Sequence, residues 1–345
     1  MKTFKMIGAP AFLILLLIFP LLFSDPTITG VAVFTLIFAG AAVAWNIFSG
    51  FTGYFSLGQA VYYGIGGYTL AMVCKDLNIP GGYIPFLFLP LAGLIASVFA
   101  IPLGLIALRT RRHIFIVFTI ALFFIFQLLA YNLPQITNGV QGMYLPLAPW
   151  TGTFYNMPFY YVSVILLLVC FATSWWIRNS KYGLGLLAIR DDEDRALSLG
   201  VKTLRYKLMA YVVSAFFIGM AGGLINYFIG SIGPASAFDP SFDVTVALMS
   251  LLGGIGTLAG PFVGAVLIEP LQQYLTVEIG TVGLDLILFG VVLLAVILWL
   301  PEGILPTLRK RWTKRMANRA TISPPINTRE RENIIPSISQ QAGKG

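Results

Sequence analysis

Apolar runs of helix length dominate this sequence, and they fix its class before anything else is read. The chain has 345 residues, 57% hydrophobic and only 10% charged, against roughly 25% charged residues in ordinary soluble domains. A hydrocarbon layer about 30 Å thick is crossed by roughly 20 mostly apolar residues in a helix, and runs of that length recur along the chain. Backbone amides find no water inside a bilayer, so crossing segments are helices or closed barrels. Barrel strands would alternate polar and apolar residues, and these runs do not. The expected fold is therefore an all-α polytopic membrane protein of about ten transmembrane helices.

Those helices are expected near Lys5 to Phe23, Val31 to Phe48, Leu57 to Cys74, Tyr83 to Leu108, Ile114 to Tyr131, Phe159 to Ile177, Lys207 to Ile229, Asp243 to Leu258, Pro261 to Val277 and Gly283 to Leu300. The first run is too long for a signal core, and Phe23-Ser24-Asp25-Pro26 offers no small-x-small cleavage site, so it reads as a retained span. Lysine and arginine set orientation, because they are held on the cytoplasmic side of short loops. With ten crossings and the N-terminus inside, every one of the 22 lysines and arginines except Lys75 falls on one side. That pattern expects both termini in the cytoplasm. The net charge of +8 then reads as topology plus contact with anionic membrane lipid, and not as nucleic-acid binding.

Metal and redox chemistry find little to work with. One histidine, His113, and two cysteines, Cys74 and Cys170, both within apolar runs, argue against a zinc site and favour cysteines packed as small hydrophobes. No nucleophile and base pairing points to an enzyme.

Two segments depart from simple crossing helices. Gly50-Phe51-Thr52-Gly53-Tyr54-Phe55-Ser56-Leu57-Gly58 interrupts the first, and Gly253-Gly254-Ile255-Gly256-Thr257-Leu258-Ala259-Gly260-Pro261 the second. Interrupted helices in matching places mark transporters built from internal repeats, so an inverted repeat of spans two to five against seven to ten is expected from span count. Charge parity leaves open whether each broken pair crosses twice or dips in and returns.

Polar side chains in such spans face a cavity, another helix or a partner subunit. Asn46, Ser56, Gln59 and Tyr62 around the first break, with Thr257 and Glu269 around the second, are the candidates for a translocation path. Helix to helix hydrogen bonding is the competing reading for the hydroxyls. Glu269 is the one ionisable side chain placed well inside a span; it lines a wet path, caps a broken helix or bonds across a subunit interface. A carrier driven by ions would be expected to hold several intramembrane acids or histidines, and a single glutamate is thin support for one.

The longest basic connection runs from Arg178 to Arg205, and its centre from Asp191 to Gly200 reads as one short helix. Asp191 is expected to cap it, acids fill its first turn, and Gly200 ends it. Ala196, Leu197 and Leu199 then form a docking knob whose register is set by Asp192, Glu193, Asp194 and Arg195. A solvated connection is the competing reading.

The stretch Tyr182-Gly183-Leu184-Gly185-Leu186-Leu187-Ala188-Ile189-Arg190-Asp191-Asp192-Glu193, with Ala196, Leu199-Gly200-Val201 and Arg205-Tyr206-Lys207-Leu208, resembles the ATPase-coupling loop of branched-chain amino-acid importer permeases. Gly53 to Ala60 followed by Gly64-Ile65-Gly66-Gly67-Tyr68, and Leu252 to Pro261, are similar to two further motifs of that family. The resemblance covers roughly Val31 to Pro301 and points to the M-type subunit. It implies a permease subunit in the bacterial inner membrane, working with a second permease subunit, ATP-binding subunits and a periplasmic solute-binding protein. It implies a coupling role for Arg190, Asp191, Asp192, Glu193, Asp194, Arg195, Ala196, Leu199 and Gly200. ATP would be used by the partners, since this chain lacks the GxxxxGK[ST] phosphate loop and needs no cofactor of its own. Branched-chain or related amino acids are the expected cargo; urea, other small polar solutes or a secondary carrier are the alternatives.

The expected organisation is a transmembrane permease domain over 1–304, the coupling loop 178–206 within it, and a basic tail over 305–345. In the tail, Leu305, Leu308, Trp312 and Met316 recur opposite Arg309, Arg311, Lys314 and Arg315, as in an amphipathic helix on lipid, with disorder expected beyond Thr321. On the other side, the connection from Asn132 to Pro158 is long enough to receive a soluble partner.

Overall fold

The computed structural model describes residues 16–23, 25–279, 290, 291, 294, 303–308 and 310. Most of the first expected span's N-terminal part, nearly all of the tenth, and the tail beyond residue 310 lie outside the described residues. The chain divides into two compact units, Met1–Leu305 and Pro306–Gly345, and the first carries the architecture below.

It is a helical bundle. In order come α1 (16–22), α2 (Pro26–Trp45) running into a π-turn (Asn46–Gly50), α3 (Ala60–Asp76), α4 (Ile84–Leu87), α5 (Leu89–Ala107), α6 (Arg112–Asn132) and α7 (Pro134–Thr137). A two-residue strand β1 (Met143–Tyr144) precedes α8 (Asn156–Asn179), α9 (Lys181–Asp191), α10 (Glu193–Ser198) and α11 (Thr203–Ile229). Strand β2 (Ser231–Ile232), α12 (Pro234–Ala237), α13 (Pro240–Gly253) and α14 (Gly260–Ile279) follow. Among the described residues, five helices are long and apolar enough to cross a membrane: Pro26–Gly50, Ile84–Ala107, Arg112–Asn132, Asn156–Asn179 and Thr203–Ile229. At 1.5 Å per residue, the 17-residue α3 and 14-residue α13 reach only about 26 Å and 21 Å, because the glycine breaks cut them short.

Burial sorts the helices into layers. In α2 and α11 the most apolar windows are 78% and 67% buried, whereas in α5 and α6 they are 33% and 28% buried. The first two form the centre, and the outward faces of the others are apolar, as lipid requires. Small residues set the close crossings. A Cβ on Gly66 would lie 2.0 Å from the Gly219 carbonyl oxygen, and one on Gly222 would lie 2.0 Å from the Tyr63 carbonyl oxygen, so α3 and α11 meet backbone to backbone.

Local chemistry starts and joins these elements. The Asp25 side chain accepts from Thr27 N–H and Pro26 occupies the first turn, which starts α2. Asn156 at the head of α8 donates to the Pro26 carbonyl at 2.8 Å and to Thr29 Oγ1 at 2.9 Å. The connection after α6 is pinned to the end of α11 by antiparallel β1 and β2, with Met143 opposite Ile232. Cys74 and Cys170 are buried free thiols.

The short helix expected from Asp191 to Gly200 is α10, Glu193–Ser198, and a separate helix, α9, precedes it. The chain is helical to Asp191, extends at Asp192 (φ −157°, ψ 110°) and restarts at Glu193. Asp192, and not Asp191, is the cap: its Oδ1 accepts from Arg195 N–H at 3.0 Å. An extended residue with a free carboxylate restarts a helix, and Asp191 is already committed to the end of α9. Gly200 takes φ +85° and closes α10.

Candidate functional site

The two glycine breaks lie against each other. Asn46, in the π-turn of the first broken pair, donates from Nδ2 to the Thr257 carbonyl at 2.8 Å and accepts at Oδ1 from Gly256 N–H at 2.7 Å. Its side chain lies where a Cβ on Gly50 would be, 1.9 Å from Asn46 Oδ1, so only glycine at 50 admits the contact. The second broken pair returns the favour at the far side of the first break. Asp243 on α13 accepts at Oδ1 from Gln59 N–H at 2.8 Å and from Ala60 N–H at 3.1 Å. These are the free amides that begin α3, where a carboxylate meets the positive end of the helix. Ser250, two turns on from Asp243, donates to the Ala42 carbonyl at 3.2 Å. Each broken pair therefore clasps the break of the other.

The expected path residues fall into three groups. Asn46 is the bridge just described, and Thr257 closes its own turn by donating to the Gly254 carbonyl and accepting from Gly260 N–H. Ser56, Gln59 and Tyr62 are wholly enclosed within the subunit, all at 0% exposure, beside Tyr211 of α11, whose ring lies 5.4 Å from that of Tyr62. The Tyr62 and Tyr211 hydroxyls are neighbours, yet neither completes a hydrogen bond of normal geometry. Glu269 stands apart on α14, 2% exposed, accepting from Gln273 Nε2 at 3.1 Å. It does not cap a broken helix, since it lies in the middle of α14. Nor is it the one buried acid, because Asp243 is 1% exposed. Asp243 fills the capping role for the physical reason that its position, in the first turn of α13, faces the head of α3.

Arg112, Arg178, Arg190 and Lys207 meet at one end of the bundle. Glu193, expected to offer its charge outward, turns inward instead. Its Oε1 lies 2.5 Å from Lys207 Nζ and its Oε2 accepts from the Tyr54 hydroxyl at 2.5 Å. Lys207, 3% exposed, also donates to the Tyr54 hydroxyl at 3.1 Å and stands 4.3 Å above its ring centroid. Lysine buried at this level needs a carboxylate, and Glu193 is the acid within reach. Burial pushes the Glu193 carboxyl up, but hydrogen bonds from Lys207 and Tyr54 outweigh it and hold its pKa below the ordinary value.

Ala196, expected in the docking knob, is 2% exposed and packs within the subunit, while Leu197 and Leu199 are 59% and 84% exposed. Asp194 and Arg195 face solvent, and the Arg195 to Asp192 pair at 3.0 Å is a surface contact that adds little. Beside α10 a hollow of about 470 Å³ is lined by Leu199, Val201 and Met209 and by Tyr182 and Tyr206. Those two rings stack 4.9 Å apart, and the Tyr182 hydroxyl donates to the Tyr206 carbonyl. Burial pushes the Tyr182 phenol well up, so it stays a donor.

The same end holds three arginines that bind backbone carbonyls. Arg190 Nη1 donates to Gly50 O at 2.8 Å, Arg178 Nη1 to Gly256 O at 2.8 Å, and Arg112 to the carbonyls of Ile189 and Arg190 at 2.8 and 3.0 Å. Sequence reasoning missed Asp243, Lys207 and Tyr54. A signal existed for two of them. Lys207 shares the helical stripe of Tyr211, Ser214 and Ile218, and Asp243 that of Val246 and Ser250, so each points with the core face of its helix.

Comparison with known proteins identifies the family. A family model described as the permease component of the branched-chain amino acid transport system matches residues 27–297. The chain is 28% identical over 325 residues to the high-affinity branched-chain amino acid transport system permease protein LivM of Escherichia coli, covering 87% of this chain and 74% of LivM. It is 25% identical over 286 residues to LivH of Salmonella typhimurium, a permease protein of the same kind of system, covering 78% of this chain and 91% of LivH. A ribose import permease, RbsC of Bacillus subtilis, is 26% identical over 152 residues, covering 43% of this chain and 46% of RbsC. No solved structure matches.

Proposed function

Since the chain belongs to the family of branched-chain amino acid transport system permease components, we propose that it works as the M-type membrane subunit of an ATP-driven importer. With a second permease subunit it forms a gated passage for leucine, isoleucine or valine. Its own residues carry no nucleotide-binding phosphate loop, so ATP-binding subunits supply the energy and a periplasmic binding protein delivers the solute. The match to LivM over 325 residues, longer than the 286 matched in LivH of Salmonella typhimurium, supports the M-type assignment.

The observation that carries the reading is the position of α9 and α10. This helical pair stands beside both glycine breaks and presents Leu197 and Leu199 outward, next to the hollow lined by Leu199 and Met209. In this reading residues 178–206 are the coupling loop within a permease domain over 1–304, and the basic tail over 305–345 rests on lipid. The hollow and the two leucines receive the ATP-binding subunit, with Asp191, Asp192, Asp194 and Arg195 at the rim and Gly200 fixing the turn. Glu193 and Ala196 hold the loop to the membrane domain. Ten crossings with both termini in the cytoplasm, and an inverted repeat of spans two to five against seven to ten, belong to the same proposal. The passage is controlled at the breaks: Asn46 and Thr257 join them, and Ser56, Gln59 and Tyr62 become accessible when they part.

The test is reconstitution. Proteoliposomes holding the chain with its second permease and ATP-binding subunits, supplied with the binding protein, are expected to take up leucine only with internal ATP. Uptake by this chain alone, driven by a sodium or proton gradient, would overturn the proposal. A ligand screen on the binding protein decides between branched-chain amino acids and other polar solutes.

A further inference from the structure

Arg178 lies in the last turn of α8, Arg190 in the last turn of α9, and only Ser180 separates the two helices. Each arginine reaches a different break: Arg190 binds the Gly50 carbonyl and Arg178 the Gly256 carbonyl. We propose that these two arginines are positioning residues that transmit movement of the coupling loop to both broken segments. This rests on the importer reading above and assigns a relay within it.

Sterics and hydrogen bonding support the relay independently. Gly53 has φ +72°, and a Cβ there would lie 3.1 Å from Arg190 Cγ; Gly256 has φ +75°, and a Cβ there would lie 1.9 Å from Arg190 Nη1. Glycines from both breaks thus make room for one side chain, and Arg190 runs between the breaks. Carbonyls at a helix break lack intrahelical partners, and a guanidinium satisfies them with a charge-assisted bond that is strong and directional. Behind it, Arg112 of α6 holds the Ile189 and Arg190 carbonyls, which fixes the end of α9. At the outer end, Glu193 and Lys207 pin α10, and Leu197 and Leu199 stay exposed. A push on α10 therefore reaches Gly50 and Gly256 through one rigid corner. The two breaks respond together because Asn46 ties them.

The experiment uses the complete importer in proteoliposomes, with ATP hydrolysis and leucine uptake read from the same vesicles. Arg190→Ala and Arg178→Ala are expected to lower uptake per ATP by about tenfold, the weight of one charge-assisted hydrogen bond, with hydrolysis and assembly retained. Arg190→Lys, which keeps a donor, is expected to recover part of the loss. Gly256→Ala keeps both arginines but displaces one, and is expected to uncouple as Arg190→Ala does. Amide exchange over 50–58 and 254–260 is expected to rise in all three uncoupled variants. The relay is overturned if uptake per ATP is unchanged in Arg190→Ala, or if hydrolysis, uptake and melting fall in parallel, as a purely structural role requires. Failure of the unmutated complex to couple uptake to ATP would sink the importer reading itself, and it is distinguishable because no variant is involved.

Discussion

The carboxylate of Asp243 on α13 accepts the backbone N–H of Gln59 at the head of α3, at 2.8 Å and across 184 residues of sequence. A buried amide without an acceptor costs about 1–3 kcal/mol, and this carboxylate serves two. Asp243→Ala is therefore expected to destabilise the protein by at least that range. Asp243→Asn, which keeps one carbonyl acceptor, is expected to lose less. Thermal unfolding in detergent orders the three proteins, and equal melting of wild type and the alanine variant would refute the clasp.

Asn46 offers a reciprocal case, because its amide both donates to Thr257 and accepts from Gly256. Asn46→Ala removes both bonds and is expected to cost about 2 kcal/mol, at roughly 1 kcal/mol net per bond. Asn46→Asp keeps the acceptor and puts a carboxylate against the Thr257 carbonyl, so a loss greater than that of alanine is expected. Chemical denaturation midpoints provide the comparison.

The Glu193 and Lys207 pair gives a pH dependence with a definite sign. The folded carboxyl titrates below its ordinary value of 4.5, so its stabilisation is complete above that value and is lost as pH falls through the lower, folded pKa. Glu193→Gln is expected to be less stable than wild type at neutral pH, and the difference is expected to shrink in acid. Melting temperatures measured from pH 7 down to about pH 2 test this, and a gap that widens in acid would contradict it.

Leu199 and Ala196 separate docking from internal packing. Leu199 is 84% exposed and Ala196 is 2% exposed. Leu199→Asp is expected to abolish capture of the ATP-binding subunits with no change in melting. Ala196→Asp is expected to lower melting by burying a charge in the loop's own seat. Co-purification and melting read side by side decide the matter; the reverse pattern would show that α10 docks by its other face.

Gly222 tests the helix crossing. A Cβ there would stand 2.0 Å from the Tyr63 carbonyl oxygen, which is backbone and cannot swing aside. Gly222→Ala is expected to force α3 from α11 at a cost of about 1–3 kcal/mol. Gly200→Ala, where nothing lies within 4 Å, carries only the strain of φ +85° and is expected to leave the crossing intact. Melting and crosslinking between α3 and α11 distinguish the two.

Much of the helix inventory was legible because its causes are local. An apolar run of twenty residues needs only itself to satisfy its backbone in lipid, so Pro26–Gly50 and Thr203–Ile229 emerge from the sequence close to where they were expected. Gly50 and Gly256 likewise announce their breaks, and the stretch from Tyr182 to Glu193 carries its family resemblance on its face. The sequence also placed a helical turn after Asp191, missing its cap by one residue, since neighbouring aspartates are equivalent until the backbone chooses which one extends.

Tertiary structure decided everything that depends on residues far apart in the chain. Asn46 meets Gly256, Asp243 meets Gln59, Arg190 meets Gly50, and Glu193 turns to Lys207. Local pattern shows that a carboxylate or guanidinium needs a partner, but not which of many distant groups provides it. That choice follows from how closely the helices approach, here set by glycines that let backbones touch. The polymer's hydropathy determined its solvent, and the packing of its broken helices determined its site.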